Sequence, residues 1–225
     1  MKVAAIIPAA GQGKRMGGSG PKQFLQLQGR TILAHTLEAF FNVPEVTSIY
    51  LMVPEDELEA VRQEWERKPR VQVVLGGKER QDSVANGLDA VDEDTEIVIV
   101  HDGVRPFVSR EMIKESIAGA NKYEAVATAV PINDTIKKAD DDGFVVDGVS
   151  RDGLWRMQTP QTFRYRLLFE AFEKARQDAY YGTDEVSLVE RLGTRVKIIP
   201  GAESNIKITR PEDLIIARAL LSVLS

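Results

Sequence analysis

Glycines and cations are concentrated in a short segment directly after the first apolar run of the chain. The apolar run is Val3–Ile7, and five glycines lie within the following residues 9–23, which we call the glycine-rich loop. Lys14, Arg15 and Lys22 lie in the same loop. Backbone N–H groups of glycine-rich segments approach anions closely, and nearby cations neutralise the charge of such anions. The loop therefore predicts a phosphate-binding site.

Two common glycine motifs do not match this loop. The dinucleotide-binding fingerprint requires Gly or Ala where Met16 stands, and an acidic residue at the end of the second strand, where Val53 stands. A P-loop requires Gly-Lys-Ser/Thr, whereas Gly18-Ser19 lacks the lysine. We therefore predict a triphosphate site of another kind, in which side-chain cations contribute much of the binding.

A second group of charged residues follows the apolar run Ile97–Val100. Asp102 is a candidate ligand for Mg²⁺, a metal that binds carboxylates and bridges phosphate oxygens. The alternative is that Asp102-Gly103 only forms a turn. His101 is expected to pack or to donate a hydrogen bond locally, and Arg105 is expected to contact a substrate phosphate or to anchor its loop.

Short apolar runs alternate with amphipathic helical patterns along the chain. We predict strands at Val3–Ile7, Ser48–Val53, Val71–Leu75, Glu96–Val100, Ala125–Val130 and Val196–Ile199. We predict helices at Thr31–Asn42, Glu55–Arg67, Gln81–Val91, from N-cap Ser109 to Lys122, and at Tyr165–Gln177, Asp184–Leu192 and Pro211–Leu221. This order predicts an α/β fold, with a Rossmann-like, mostly parallel sheet covered by helices on both faces. Ligands of such sheets bind beyond the C-terminal ends of the strands, where the glycine-rich loop and Asp102 fall.

An insertion interrupts the alternating pattern at residues 134–151, which we call the arm. Two short β segments flank Asp140–Gly143, and an Asp-Gly turn between such segments predicts a hairpin. The aspartates lack the alternating spacing of a calcium loop, so we interpret them as a solvated tip. We predict one domain over residues 1–225 from which the arm protrudes.

Composition excludes several classes of protein. The chain has 225 residues, 43% of them hydrophobic and 28% charged, which is typical of a globular domain. A net charge of −5 argues against nucleic-acid and membrane-surface partners, and the absence of cysteine excludes disulfides and thiol nucleophiles. No apolar run approaches the roughly 18 residues of a membrane span. Lys2 and Val3–Ala10 imitate a short signal peptide, but Pro8 interrupts the run, so we expect a cytoplasmic protein.

A set of motifs spread over residues 4–213 carries a resemblance. The motifs are Gly11-x-Gly13-x-Arg15-Met16, Pro21-Lys22-Gln23, Gly76-Gly77-x-x-Arg80-x-Asp82-Ser83-Val84, His101-Asp102-x-x-Arg105-Pro106, Thr159-Pro160-Gln161, Thr183-Asp184-Glu185 and Asn205-x-Lys207-x-Thr209. The loop alone resembles nucleotidyltransferases that activate sugar phosphates. The whole set resembles the 2-C-methyl-D-erythritol 4-phosphate cytidylyltransferases of non-mevalonate isoprenoid synthesis. Ribitol-5-phosphate cytidylyltransferases are similar at most of these positions and remain the alternative.

The resemblance implies a fold of the nucleotide-diphospho-sugar transferase type, the substrates CTP and a polyol phosphate, and Mg²⁺ as cofactor. The catalytic residues that it implies are Arg15, Lys22 and Lys207. The nucleotide-binding residues are Ala9, Ala10, Gly11, Gly13, Gly76, Gly77, Ser83, Asp102 and Gly103. The substrate-binding residues are Asp102, Arg105, Thr135, Arg151, Thr159, Thr183 and Lys207. It also implies a homodimer formed through the arm, in which Thr135 and Arg151 reach the partner's substrate site.

Several alternatives stay open from the sequence. Gly76-Gly77 is also typical of a tight strand-to-helix turn, and this reading is compatible with base recognition. Thr183 either donates to the substrate phosphate or serves as the N-cap of the helix that begins at Asp184. The arm either pairs with a second copy or folds back on its own subunit. A nucleotide-binding regulator without turnover and a nicotinamide oxidoreductase are the alternatives from other functional classes.

Overall fold

The computed structural model of the chain describes residues 1–11 and 20–224. Its strands are β1 (Val3–Pro8), β2 (Gln26–Leu27), β3 (Arg30–Thr31), β4 (Ser48–Val53), β5 (Val71–Leu75), β6 (Ile97–Val100), β7 (Ala125–Pro131), β8 (Ile136–Ala139), β9 (Val145–Val149), β10 (Trp155–Arg164) and β11 (Lys197–Pro200). Its helices are α1 (Ile32–Phe41), α2 (Leu58–Trp65), α3 (Arg80–Ala90), α4 (Arg110–Tyr123), α5 (Tyr165–Gln177), α6 (Glu185–Glu190) and α7 (Pro211–Leu224). Short 3₁₀ turns occur at Lys22–Phe24 and Glu55–Glu57.

The central sheet has seven strands in the order β11-β7-β10-β6-β1-β4-β5. The pairs β6-β1, β1-β4, β4-β5 and β11-β7 are parallel, whereas β10 is antiparallel to both β6 and β7. The prediction of a mostly parallel sheet is confirmed.

Helices cover both faces of this sheet, as predicted. One core cluster contains Leu37 of α1, Trp65 of α2 and Ile113 of α4, whereas the other contains Leu88 of α3 and Phe172 of α5. Successive side chains of β1 alternate between the two clusters, as the two-residue period of a strand requires. The first apolar run of the sequence is therefore a central strand, which is buried from Val3 to Ile7.

The order in which strands are added to the sheet reverses at β1. β4 and β5 follow on one side of β1, and β6 then pairs on the other side. The loops after β1 and β6 therefore lie at the C-terminal edge where the strand order reverses, which is where α/β sheets bind ligands. Backbone hydrogen bonds hold these two loops together, from His101 N to Ile6 O (3.0 Å) and from Gly103 N to Pro8 O (3.2 Å).

The arm forms the predicted hairpin. β8 and β9 pair antiparallel as a separate two-stranded sheet, and Asp140 closes the turn by accepting hydrogen bonds from Asp142 N and Phe144 N. Gly143 has a φ of +87°, a value that favours glycine. Residues 134–151 are exposed apart from the half-buried Ile136, so the arm is not covered by its own subunit.

Strand β10 was not predicted from the sequence. It contains Pro160 and the polar residues Gln158, Thr159, Gln161 and Thr162, a composition that argues against a central strand. These polar side chains are buried and satisfied by tertiary partners, for example by the bond from Gln158 Nε2 to Ala202 O (2.8 Å).

Most helix ends differ from prediction by a few residues, and two of the differences are instructive. The predicted helix Glu55–Arg67 begins as the 3₁₀ turn Glu55–Glu57 and ends as α2 at Trp65. The predicted helix Asp184–Leu192 is the shorter α6, because Asp184 lies outside it as the N-cap and accepts a hydrogen bond from Ser187 N. None of the helices in the described residues is both long and apolar enough to cross a membrane.

Candidate functional site

A cleft of about 740 Å³ opens at the C-terminal edge of the sheet, a volume in the range of small-ligand sites. Nine of the residues singled out from the sequence line it, namely Ala9, Ala10, Gly11, Lys22, Gly76, Gly77, Ser83, Asp102 and Lys207. They come from the loops after β1, β5 and β6, from the first turn of α3 and from the segment before α7. The sheet topology therefore brings together motifs that are far apart in the sequence.

Two glycines allow the loops of the cleft to pack closely. A Cβ atom at Gly76 would lie 2.2 Å from Ala10 Cβ, and one at Gly103 would lie 3.1 Å from Ala9 Cβ. A side chain at Gly76 would therefore push the loop after β5 away from the loop after β1. Gly103 does not line the cleft, and its lack of a side chain lets the loop after β6 pack closely against Ala9.

Gly77 and Ser83 form the tight turn between β5 and α3. The Ser83 hydroxyl accepts a hydrogen bond from Gly77 N (3.0 Å) and donates to Glu79 O (3.1 Å). Glu79 and Asp82 then form a capping box that starts α3. The turn interpretation of this segment is confirmed, and the turn also lines the cleft, so base recognition by the same segment stays a prediction.

Asp102 is the centre of a charge network formed by Arg80, Asp102, Arg105, Glu185 and Lys207. Its Oδ1 accepts a hydrogen bond from Arg80 Nε (2.9 Å). Its Oδ2 lies 2.8 Å from Lys207 Nζ and accepts a longer bond from Arg105 Nε (3.4 Å). Arg105 also donates to Asn205 O (2.7 Å), which connects the loop after β6 to the segment that carries Lys207. Asp102 thus does more than form a turn.

Glu185 completes the network from the opposite side of Arg80. Arg80 Nη1 donates to Glu185 Oε1 (2.7 Å) and Arg80 Nη2 donates to Glu185 Oε2 (3.1 Å), a bidentate contact. Arg80 is the first residue of α3, and Glu185 is the first residue of α6 and is only 1% exposed. One guanidinium therefore joins two carboxylates that lie in different parts of the chain.

The network keeps Asp102 ionised and leaves positive charge at the cleft. Burial disfavours ionisation of Asp102, but the charges of Arg80, Lys207 and Arg105 outweigh it and hold the pKa of this carboxyl well below its usual range. Burial alone would lower the pKa of Arg80, but the carboxylates of Glu185 and Asp102 raise it further above its normal value. Three cations against two carboxylates give the network one excess positive charge, which suits an anionic ligand.

His101 is buried and takes part in a chain of hydrogen bonds beneath Asp102. Asp102 N donates to Thr159 Oγ1 (3.1 Å), Thr159 Oγ1 lies 3.0 Å from His101 Nδ1, and His101 Nε2 lies 3.1 Å from Arg105 O. Because a carbonyl only accepts, Nε2 carries the proton and Nδ1 accepts from the Thr159 hydroxyl. Burial lowers the pKa of His101 to about 4, so the ring is neutral near pH 7. The expectation that His101 packs and donates locally is confirmed.

Lys22 reaches the cleft from the 3₁₀ turn Lys22–Phe24, where the glycine-rich loop returns to the sheet. The neighbouring Gln23 is buried and donates through its amide to Ala9 O. This bond ties the two ends of the loop together and fixes the turn from which Lys22 projects. Arg15 and Gly13 lie outside the described residues, so their predicted roles stay predictions.

The remaining predicted residues fall into two groups. Gly103, Arg105 and Thr159 lie behind the cleft wall and contact residues that line it. In contrast, Thr135, Arg151 and Thr183 are exposed and do not line the cleft. Arg151 donates to Asn133 O at the base of the arm. The N-cap interpretation of Thr183 is wrong, because Asp184 caps α6 and Thr183 precedes it.

The side chains of the cleft limit how a Mg²⁺ ion could bind there. In residues 1–11 and 20–224 no three His, Cys, Asp or Glu side chains are grouped as a metal site, and both oxygens of Asp102 already contact cations. This arrangement does not fit a metal held in a protein cage. A Mg²⁺ ion bound in this cleft would have to take most of its ligands from phosphate oxygens and water, and Asp102 would have to release a cation to become one of them.

Sequence reasoning assigned no role to Arg80 or Glu185, although both lie in the motifs quoted above. A usable signal was the position of Glu185, which precedes the apolar residues Val186, Leu188 and Val189 of a short helix. A carboxylate among residues of this kind is either exposed or paired with a buried cation. Its partner could not be identified from the sequence because Arg80 lies 105 positions away.

Comparisons with known proteins agree with this geometry. The family model described as 2-C-methyl-D-erythritol 4-phosphate cytidylyltransferase matches residues 3–223. A protein of this name from Syntrophus aciditrophicus is 46% identical over 224 residues, which cover 98% of this chain and 96% of the relative. The structure resembles 4-diphosphocytidyl-2C-methyl-D-erythritol synthase of Anaerococcus prevotii (TM-score 0.86, 36% identity, 98% of each chain). It also resembles 2-C-methyl-D-erythritol 4-phosphate cytidylyltransferase of Thermus thermophilus (TM-score 0.84, 34% identity, 99% of this chain and 100% of that one). The chain therefore belongs to the 2-C-methyl-D-erythritol 4-phosphate cytidylyltransferase family.

Proposed function

We propose that this protein joins CTP and 2-C-methyl-D-erythritol 4-phosphate to give 4-diphosphocytidyl-2-C-methyl-D-erythritol and pyrophosphate, a step of isoprenoid precursor synthesis. The observation that carries the proposal is the convergence of Arg80, Arg105 and Lys207 on Asp102 at a cleft that the loop after β1 also lines. The names of the curated relatives favour methylerythritol phosphate over ribitol phosphate as the second substrate.

The proposed reaction needs positioned charge rather than a general base. An oxygen of the substrate phosphate attacks the α-phosphorus of CTP, and the bond to the bridging oxygen breaks as pyrophosphate leaves with the electron pair. A phosphate monoester has a second pKa of about 6, so the nucleophile is largely dianionic near pH 7. The neutral His101 is consistent with this requirement, because its two ring nitrogens are already occupied by Thr159 and Arg105.

Repulsion between the anionic substrates is then the main barrier. We propose that the cations of the cleft lower this barrier by neutralising phosphate charge. Lys207 holds the attacking phosphate, while Lys22 and Arg15 bind the triphosphate and the charge that develops on the leaving group. Backbone groups of Ala10, Gly11 and Gly13 cradle the remaining phosphate oxygens. Mg²⁺ supplies further neutralisation of phosphate charge when it is bound. EDTA should abolish turnover without lowering the melting temperature, because residues 1–11 and 20–224 contain no cluster of metal-binding side chains that an ion would hold together.

We also propose a homodimer formed through the arm. Phe144, Val145 and Val146 are 72%, 65% and 55% exposed, although an isolated two-stranded sheet is marginally stable in water. A second arm related by a twofold axis would cover this apolar surface and bring Arg151 and Thr135 to the partner's substrate site. We expect the enzyme to act in the cytoplasm, where CTP is available.

Pyrophosphate release tests the proposed reaction. The protein is incubated with CTP, Mg²⁺ and 2-C-methyl-D-erythritol 4-phosphate, and pyrophosphate is measured over time. Omission of either organic substrate is the control. Release that requires both substrates supports the proposal, whereas release from CTP alone would indicate a pyrophosphohydrolase.

A further inference from the structure

The reaction described above assigns no role to the bidentate contact between Glu185 and Arg80. Glu185 is 1% exposed and does not line the cleft, so it does not touch a substrate there. Arg80 does line the cleft, and its Nε atom donates to Asp102 Oδ1. Glu185 can therefore act on the site only through another residue, and Arg80 connects the two.

The geometry of Arg80 makes its two contacts interdependent. The guanidinium is planar and its donors have a fixed arrangement, so the two bonds from Nη1 and Nη2 to Glu185 determine where Nε points. Nε in turn donates to Asp102 at 2.9 Å. Without Glu185, the Arg80 side chain would lose two of its three fixed contacts and would be drawn to other anions, including a bound triphosphate.

The charges of the network give Glu185 a second effect on Asp102. Glu185 neutralises Arg80, so the charge of Asp102 remains available to Lys207 and Arg105. If Glu185 were neutral, three cations would share the single carboxylate of Asp102, and Lys207 would have to compete with Arg80 for it. The position of Lys207 in the cleft therefore depends on a carboxylate that lies outside the cleft.

We infer that Glu185 is a positioning residue for the cytidylyl-transfer site, because it fixes Arg80 and, through it, the orientation of Asp102 and Lys207. This inference rests on the proposed function for its kinetic readout. Its binding readout needs only that the cleft binds CTP.

Other contacts hold the segment before α6 against α3, so Glu185 is not required to join these two parts of the chain. Gln81 Nε2 donates to Tyr180 O (2.9 Å), and Gly182 N donates to Gln81 Oε1 (2.8 Å). Asp184 caps α6 and accepts a bond from Gln161 Nε2 (2.9 Å). A variant of Glu185 should therefore keep the fold while it loses control of Arg80.

The experiment compares the Kd of CTP, measured by calorimetry, with kcat and KM for both substrates. Glu185→Gln removes the charge at nearly constant size, and Glu185→Asp keeps the charge but is one methylene shorter. Ser116→Ala is the matched structural control, because Ser116 is buried, does not line the cleft, and within the described residues shares hydrogen bonds with Ile113 O and Thr162 Oγ1 rather than with the network. Arg80→Met, alone and with Glu185→Gln, completes a double-mutant cycle.

We expect Glu185→Gln to raise the Kd of CTP and to lower kcat/KM by about 10–100-fold, the size of loss that follows when a residue orienting a metal ligand is removed. Glu185→Asp should lie between this variant and the wild type. Ser116→Ala should lower the melting temperature without changing Kd or kcat/KM. In the Arg80→Met background, Glu185→Gln should have no further effect on either constant.

Three results would overturn the inference: unchanged Kd and kcat/KM in folded Glu185→Gln, a full additional loss in the Arg80→Met background, or a Ser116→Ala variant with the same kinetic loss. If Glu185→Gln does not fold, Glu185→Asp decides, and wild-type constants for that variant would contradict the inference. A wild-type protein that binds CTP but releases no pyrophosphate would refute the proposed reaction, while the Kd series would still decide the role of Glu185.

Discussion

Lys207 Nζ lies 2.8 Å from Asp102 Oδ2, so the loop after β6 and the segment before α7 meet through an ion pair at the wall of the cleft. A backbone bond from Ile208 N to Val104 O (2.9 Å) joins the same two segments. The lysine is therefore held at the cleft by main-chain and side-chain contacts together. A substrate phosphate that binds Lys207 would meet a cation that is already in place, which lowers the cost of ordering it.

Replacement of Lys207 should affect turnover far more than folding. Lys207→Ala removes a cation next to the proposed attacking phosphate, and loss of one such group costs roughly 10²–10³ in kcat. Asp102 would keep Arg80 and Arg105 as partners, so the melting temperature should change little. Steady-state assays and thermal melts measure the two effects. The control is Lys114→Ala, which removes an exposed lysine 3.7 Å from Glu45, and near-normal turnover of Lys207→Ala would exclude the assigned role.

Gly76→Ala should separate the two loops that form the nucleotide side of the cleft. Its Cβ would lie 2.2 Å from Ala10 Cβ and 3.2 Å from Val53 O, and overpacking of this kind costs about 1–3 kcal/mol of unfolding free energy. We also expect weaker binding of CTP. Gly11→Ala is the matched control for stability only, because its Cβ would enter open space, whereas its backbone belongs to the proposed phosphate cradle. Denaturant unfolding measures the stability and calorimetry measures the binding of CTP. Equal stability of the two variants would show that the loops after β1 and β5 can move apart without cost.

The buried His101 should make the protein less stable in mild acid. Its pKa is about 4 in the folded state and 6.5 as a model value, so between these values the unfolded chain binds a proton that the folded protein does not. The free energy of unfolding must then fall as the pH falls from 6.5 to 4, by roughly 3 kcal/mol from this group. Measurements of unfolding across this range should show a flatter pH dependence for His101→Gln than for the wild type. Parallel curves would mean that His101 is not the group responsible.

Mixed subunits should reveal whether the arm completes a partner's site. Arg151→Ala and Lys22→Ala proteins should each be nearly inactive, because each lacks a cation of the proposed site. If Arg151 acts across the dimer, mixed dimers contain one intact site, and activity should rise above that of both parents after subunit exchange. No rise after complete exchange would show that each site is built from a single chain.

The sequence was sufficient to predict the alternating strands and helices, because buried parallel strands are continuous apolar runs and the helices carry one apolar face. It also predicted nine of the residues that line the cleft, since the resemblance extends over nearly the whole chain. Strand β10 was missed because its buried residues Gln158, Gln161 and Thr162 are polar. Their bonding partners lie on other elements, and a local pattern contains no information about them.

The charge network escaped prediction for a related reason. Arg80 and Glu185 each begin a helix, where a charged residue is most often exposed to solvent. The two residues form a bidentate pair only because the segment that leads into α6 lies against the start of α3, and the contacts that place it there join residues more than 100 positions apart in the sequence. The contact between Arg105 and Asn205 could not be predicted for the same reason, because the two residues are 100 positions apart in the sequence.

Discrimination between nucleotides and between polyol phosphates tests the central claim most directly. Initial rates of pyrophosphate release are measured for CTP and UTP, each with 2-C-methyl-D-erythritol 4-phosphate and with ribitol 5-phosphate, in the presence of Mg²⁺. We predict a clear preference for CTP with methylerythritol phosphate, because a site built around the cytosine amine leaves polar groups unpaired with uracil, at a cost of about 1–3 kcal/mol each. Equal rates with CTP and UTP, or a higher rate with ribitol phosphate, would contradict the assignment of this chain as a methylerythritol phosphate cytidylyltransferase.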